Sequence, residues 1–179
     1  MDDQAIIDHL ERYLTDTLPE KLGRSRVIVE LSQQLGKNGT LMPGGEIAWI
    51  AWNEARWSFI HGHHLAAILL AQSLAEHMLG GWLRMSGGSH DLPDRLTFAA
   101  AIRRCLDYSI IDGKLAQRLG DLAVLRNSLI HFRGLDDPSS LGHRVSARLE
   151  PAFDQLAQDA EQALNTIVSL LACPAFRVG

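Results

Sequence analysis

The chain alternates between long stretches with helical periodicity and short loops rich in glycine and proline. Apolar residues recur every three or four positions in most of these stretches, as on one face of an α-helix. The pattern predicts six helices, at residues 4–18, 46–60, 63–85, 93–109, 112–132 and 151–171. Residues 63–85 are apolar nearly all round, so we expect this helix to be central and to have neighbours on several sides. The sequence therefore predicts an all-α helical bundle.

The N-terminal region is predicted to be an extension of that bundle. Its helix, residues 4–18, is expected to stop at Pro19. Residues 26–35 are ambiguous, because Val27, Val29 and Leu31 alternate as in a strand while the following residues suit a helical turn. A loop rich in glycine and proline follows. We place the boundary there, with residues 1–44 as a helix-plus-loop extension and residues 45–179 as the helical domain.

Composition places the chain among ordinary globular proteins. It has 179 residues, 46% hydrophobic and 21% charged, and a net charge of -4. This balance argues against bulk, sequence-blind binding to nucleic acid or to anionic membranes. Two cysteines far apart suit a reducing compartment, and the acidic N-terminus does not resemble a signal peptide. The longest apolar stretch, residues 65–83, is broken by polar side chains. We expect a soluble, cytoplasmic protein without a membrane span.

The predicted helix at residues 112–132 has one position that needs an explanation. Four leucines form its core stripe: Leu115, Leu119, Leu122 and Leu129. Arg126 falls in the middle of this stripe, and a buried arginine is costly unless it is paired. Glu76 lies on an inward-facing stripe of the helix at residues 63–85. We therefore expect Arg126 to be largely buried and to form a structural ion pair with Glu76.

The end of the same helix carries a pattern known from one protein family. The sequence LRNSLIHF contains Arg126, Asn127 and His131 in an R-N-x-x-x-H arrangement. Upstream, HGHHLAAILLAQSLAEHML contains an alanine-rich run that ends in an acidic residue, Glu76. Together these features resemble HEPN domains (higher eukaryotes and prokaryotes nucleotide-binding). The resemblance spans residues 46–132 and leaves the N-terminal segment unaccounted for.

The resemblance implies a helical domain that dimerises with its motif helices facing each other. Many HEPN members are metal-independent endoribonucleases, often toxins of toxin–antitoxin or defence systems, and others are non-catalytic modules. Carried onto this chain, the pattern makes Arg126, Asn127 and His131 the catalytic residues and requires no cofactor. Such a protein would act on RNA and could be held by a cognate antitoxin. The alternative is a dimerisation module that binds a partner protein or a nucleotide.

The residue types suit RNA cleavage on chemical grounds as well. Cleavage without a metal needs a base for the 2′-hydroxyl, an acid for the leaving 5′-oxygen and a cation for the charge on phosphorus. Histidine titrates in the right range and arginine binds phosphate through two donors. One chain offers a single histidine here, so a homodimer would supply His131 twice. Alternatively, Arg126 ties the core together while Asn127 and His131 stabilise a helix contact.

Small residues beside the motif support the expected homodimer. Ala116, Gly120 and Ala123 form a narrow face that allows two helices to approach closely, and a two-fold contact is self-complementary. We expect Asn127 and His131 near the two-fold axis.

The remaining charges and histidines give weaker signals. Residues 103–148 contain eight Lys and Arg against five Asp, a local +3. Arg133 and Arg144 follow the motif and are predicted to bind substrate phosphates, although a solvated surface would look the same. The histidines at residues 61–64 lack the further ligands of a recognisable metal spacing. We therefore predict no metal site.

Overall fold

The computed structural model describes residues 3–86, 92–93, 95–134 and 136–178. Over these residues the chain forms seven α-helices, packed into a bundle: α1 Asp3–Gln33, α2 Gly45–Ile60, α3 His64–Met85, α4 Phe98–Asp107, α5 Gly113–Ile130, α6 Leu141–Arg148 and α7 Ala152–Leu171. A single 3-10 turn, Pro174–Phe176, follows α7. Strands β1, Gly39–Thr40, and β2, Arg177–Val178, pair antiparallel. The predicted all-α class is confirmed.

Helix α3 lies at the centre of the bundle, as predicted. It packs against α2, α4, α5 and α7. Residues along its whole length are fully buried, among them Ala67, Ala71, Leu74, Met78 and Leu79. Small side chains at 67, 71 and 75 let neighbouring helices approach closely, while the larger ones fill the space between them. The second half of α3 also bears polar side chains, and these lie at one end of the core.

Helix α1 differs from the prediction. It continues through Pro19 to Gln33, so residues 26–33 are helical and the predicted stop at Pro19 is wrong. A proline inside a helix removes one backbone hydrogen bond and crowds the preceding turn. Tertiary packing of the second half offsets that cost: Ile28 is buried in the core, and the Arg24 side chain donates to the carbonyl of Ile60 at 2.8 Å.

Three boundaries depend on side-chain caps. Asp112 caps α5 as predicted, its carboxylate accepting from the Leu115 amide at 2.7 Å. Helix α4 begins at Phe98 rather than near Pro93, because Thr97 caps it. Helix α6 was not predicted; Ser140 caps it through the amide of His143. The loop predicted at residues 86–93 lies largely outside the described residues.

Two glycines bring the loop before α2 directly onto α3. A Cβ at Gly81 would overlap the carbonyl group of Pro43, and a Cβ at Gly44 would lie 2.8 Å from the backbone of His77. Because neither glycine has a side chain, the backbone of the loop lies directly against the backbone of the helix. This contact forms one wall of a cleft.

Candidate nucleic-acid interface

Arg126 and Asn127 lie in the last turns of α5, and His131 is the residue directly after the helix, where the backbone is already extended. Leu115, Leu119 and Leu122 are buried, as expected for the leucine stripe, whereas Leu129 is only half-buried. Asn127 and His131 are exposed. The backbone amide of His131 still donates to the carbonyl of Asn127, at 3.3 Å. The Asn127 amide therefore lies on the exposed surface of the last turn, and the imidazole lies exposed at the C-terminal end of α5.

Arg126 does not form the expected ion pair. It is half-buried rather than largely buried, Glu76 is exposed, and no salt bridge joins them among the described residues. Its Nη1 instead donates to Oδ1 of Asn127 at 3.1 Å. The leucine stripe leaves the core at this point, so Arg126 reaches solvent and its charge does not need to be neutralised by a buried carboxylate.

Arg126 and Glu76 line the same cleft, which is formed by α3, α5, the Pro43 loop and the segment before α4. The cleft has a volume of about 760 Å³. Its polar and charged lining residues are Gln72, Glu76, His77, Arg84, Arg95, Thr97 and Arg126. Three arginines against one glutamate make the cleft electropositive, which suits a phosphate-bearing ligand.

Five of these residues were not predicted as site residues: Gln72, His77, Arg84, Arg95 and Thr97. A signal was present in the sequence, since Gln72, Glu76 and Arg84 occupy positions spaced by multiples of four on the otherwise apolar α3. Such spacing places polar side chains along one side of a helix. Arg95 carried no comparable signal, because the chain brings it to the cleft through the segment that precedes α4.

One polar group on the cleft wall has no partner. Gln72 is 7% exposed, and its Oε1 atom is buried without a hydrogen bond among the described residues. A buried amide oxygen without a donor is costly. It is available to accept a hydrogen bond from a ligand in the cleft.

The two arginines predicted to bind phosphate differ from each other. Arg133 is 41% exposed at its side chain and contacts Asp137 at 3.5 Å, a weak surface pair. Arg144 contacts both carboxylate oxygens of Asp159 through Nη1, at 3.0 and 2.7 Å. Gln155 donates to the same carboxylate at 3.0 Å. Arg144 is thus held in an ion pair with α7, and its predicted phosphate contact stays a prediction.

Two positions on the side of α5 that bears Asn127 are uncovered by the residues that the structure describes. Val124 is 62% exposed, and a Cβ placed on Gly120 would meet no atom within 4 Å. Ala123 is half-buried and Ala116 is buried. The small face beside Asn127 and His131 is therefore open at Gly120 and Val124.

Metal-ligating and nucleophilic side chains are not concentrated at this site. Among the residues that the structure describes, no three His, Cys, Asp or Glu side chains form a group that could hold a metal ion. Cys105 is fully buried, and burial raises the pKa of its thiol to about 12. It therefore remains a protonated core thiol.

Comparison of the chain with protein-family models, curated proteins and solved structures found no match. No helix within the described ranges combines the length and the apolar character needed to cross a membrane.

Proposed function

We propose that the protein is a metal-independent endoribonuclease of the HEPN type that acts as a homodimer. The observation that carries the proposal is the link between Arg126 and Asn127. It joins an electropositive cleft to the exposed side of α5, where His131 lies one turn further along. The proposal requires the phosphate held by Arg126 to reach His131, and the hydrogen bond to Asn127 favours this by turning the guanidinium towards that side of α5.

The proposed reaction is attack of the RNA 2′-hydroxyl on the adjacent phosphorus. His131 of one protomer removes the hydroxyl proton as the new oxygen–phosphorus bond forms. Arg126 binds the phosphate and stabilises the charge that develops on its oxygens. His131 of the second protomer protonates the leaving 5′-oxygen as the old bond breaks. The products are a 2′,3′-cyclic phosphate and a free 5′-hydroxyl.

The cleft supplies the path for the rest of the RNA. Arg84 and Arg95 share its wall with Arg126, and His77 and Gln72 add hydrogen-bonding groups. Contacts of this kind position the backbone without reading base sequence. Arg133 is exposed two residues after His131, where it can contact the same RNA strand, whereas Arg144 is held by Asp159.

Incubation of the purified protein with mixed RNA in EDTA tests the proposal. Cleavage should persist in EDTA, leave 2′,3′-cyclic phosphate ends and show a bell-shaped pH dependence. His131→Ala should abolish turnover with little effect on folding, because the side chain is exposed. His9→Ala, which changes an exposed histidine on α1, is the matched control and should retain full activity. Cleavage that requires a divalent metal, or that survives His131→Ala, would contradict the mechanism.

A second function is favoured by the outer face of α2. Trp49 and Trp57 are 56% and 60% exposed, and Ile47 and Ile50 lie exposed beside them. Exposed tryptophans grouped in this way are typical of protein interfaces. The same fold would then be a binding module for a partner protein such as an antitoxin. A folded dimer that cleaves no RNA in the assay above would support this function instead.

A further inference from the structure

A second cavity lies between α5, α6 and α7, apart from the cleft that Arg126 lines. Its volume is about 310 Å³, and no described residue lines both. Pockets that bind small molecules begin at about this size and combine apolar surface with a few placed polar groups. The proposed RNA cleavage makes no use of this cavity.

The inner surface of the cavity is apolar. Leu122 and Ala163 are buried there, Leu125 is half-buried, and Val124 lies at the outer edge with 62% of its surface exposed. Helix α6 contributes two arginines to the wall and contacts α7, but it buries none of its own residues. A ligand with an apolar body would therefore cover surface that the chain itself leaves open.

Two arginines in the wall are held by neutral groups. Arg118 donates to the hydroxyls of Ser169 and Thr166, at 3.0 and 3.2 Å. Arg148 donates to Oε1 of Gln155 at 3.0 Å. Neither forms a salt bridge with a carboxylate among the described residues. Each guanidinium has five donors, so both retain their charge and further N–H groups for a ligand.

The third arginine of the wall has an unsatisfied donor. Nη1 of Arg144 contacts both carboxylate oxygens of Asp159, whereas its Nη2 is buried and has no hydrogen-bond partner among the described residues. A buried donor on a charged group is costly when it is left unpaired. An acceptor in the cavity that Arg144 lines would remove this cost.

The charge of the lining favours an anion. Three arginines stand against two aspartates, which gives a net charge of +1. The carboxylate of Asp159 is already neutralised by Arg144. That of Asp121 is exposed and accepts a hydrogen bond from Gln117 at 2.8 Å, so it lies at the outer edge. The arginines are thus the charged groups that a ligand inside the cavity would meet.

We propose that this cavity binds a small organic anion, a carboxylate or a phosphate monoester carried on an apolar body. The anionic group binds to the arginine wall, and the apolar body packs on Leu122 and Leu125. This site is separate from the motif and does not depend on ribonuclease activity.

Calorimetry with simple probes tests the chemistry of the ligand. Phenyl phosphate and benzoate carry the two anionic groups on the same ring, so the tighter of the two identifies the preferred group. Inorganic phosphate should bind at least about tenfold more weakly than phenyl phosphate, because it cannot bury a ring. Equal binding of the two phosphates would contradict the role of the apolar surface.

Hydrogen exchange locates the bound probe. The tighter probe should slow amide exchange in α6, residues 141–148, and leave α4, residues 98–107, unchanged. Arg126→Gln should keep the protection of α6 even though it impairs RNA cleavage. The two proposals can therefore fail independently.

Three substitutions test the charges of the lining. Arg148→Gln, at an exposed position, should weaken binding about tenfold or more through loss of a hydrogen bond to a charged group. Asp121→Asn should tighten binding, because it removes a carboxylate that repels the anion. Arg103→Gln, which changes an exposed arginine on α4, is the matched control and should have no effect.

The outcomes that overturn the proposal are specific to this cavity. They are the absence of α6 protection with either probe, protection that survives both Arg118→Gln and Arg148→Gln, and protection that is lost in Arg126→Gln. The last result would place the probe in the cleft of the motif instead.

Discussion

The guanidinium of Arg126 is hydrogen-bonded to the side chain of the next residue, Asn127, with 3.1 Å between Nη1 and Oδ1. Adjacent residues on a helix point about 100° apart and do not normally face each other. Arg126 therefore folds across the helix surface to reach the amide. This hydrogen bond holds the guanidinium of Arg126, which lines the cleft, in one direction.

Loss of the Asn127 amide should impair catalysis without impairing folding. In Asn127→Ala the arginine loses its acceptor, and we expect RNA cleavage to fall about tenfold to a hundredfold, the usual effect of one hydrogen bond to a charged group. The melting temperature should change little, because Asn127 is exposed. Gln117→Ala, which removes an exposed amide earlier on α5, is the control. Equal activity of the two variants would show that the Arg126–Asn127 contact has no catalytic role.

Two adjacent glycines in α3 should respond in opposite ways to the same change. Gly81→Ala places a methyl group against the Pro43 carbonyl and should lower the free energy of unfolding by about 1–3 kcal/mol. Gly80→Ala meets nothing within 4 Å and should raise the stability by up to about 1 kcal/mol through helix propensity. Urea unfolding of the two variants measures both effects. A similar loss in both would show that the loop does not lie on α3 as described.

The ion pair between Arg144 and Asp159 should contribute to stability. The two side chains are 21% and 10% exposed. Asp159→Ala leaves a largely buried guanidinium without its partner and should cost about 3 kcal/mol, or about 6–12 °C in melting temperature. The double variant Arg144→Met, Asp159→Leu should recover much of that loss, since neither charge is then left alone. If Asp159→Ala melts like the wild type, the ion pair is not formed in solution.

Acidification should destabilise the protein through His64. Its ring is 3% exposed, both ring nitrogens lack hydrogen-bond partners, and it lies against Phe153 with 4.9 Å between ring centroids. Burial, followed by the charges of Arg24 and His63, lowers the pKa of His64 below its ordinary value. The unfolded chain therefore binds a proton more readily than the folded one. Stability should fall as the pH drops below about 6.5, by at most about 1.4 kcal/mol per pH unit.

Urea midpoints measured at several pH values check this effect. His64→Phe keeps the aromatic packing but cannot be protonated, so its stability should depend less steeply on pH than that of the wild type. His9→Phe is the control, because His9 is exposed on α1 and should leave the steep dependence in place. Identical pH profiles for wild type and His64→Phe would contradict the assignment.

The contact through the small face of α5 can be tested at Gly120. A side chain there meets open space within one chain, so Gly120→Trp should fold normally as a protomer. It should nevertheless weaken the proposed pairing of motif helices and reduce cleavage, because each centre then lacks the second His131. Light scattering and the RNA assay measure the two effects. Lys114→Trp, on the opposite side of α5, should alter neither, and normal cleavage by Gly120→Trp would refute the shared centre.

The pattern of apolar residues was sufficient to predict α2, α3, α5 and α7. Helices α2, α5 and α7 each bury one face, and α3 is buried on several sides, so the apolar pattern of each helix reflects its environment directly. The continuity of α1 could not be predicted locally, because the cost of Pro19 is offset by contacts of Arg24 and Ile28 with distant parts of the chain. Helix α6 was missed since none of its residues is buried.

The candidate site was predictable only in part. The motif singled out Asn127 and His131, and the structure leaves both side chains exposed. The environment of Arg126 was predicted wrongly, because a stripe on a helical projection does not show where the neighbouring helices end. The ion pair of Arg144 was not predicted for a related reason: its partner, Asp159, lies fifteen residues away on a separate helix. Charge counts along the chain do not distinguish paired arginines from those that remain exposed.

The strand pair β1–β2 ties the loop before α2 to a segment that lies far from it in the sequence. Gly39 pairs with Val178, and Arg177 donates to the Thr40 hydroxyl and to the carbonyl groups of Leu35 and Asn38. These contacts anchor the segment that leads to Pro43 and Gly44, which forms one wall of the cleft. A chain cut before Arg177 would keep the helices that line the cleft but would lose the anchor of this wall.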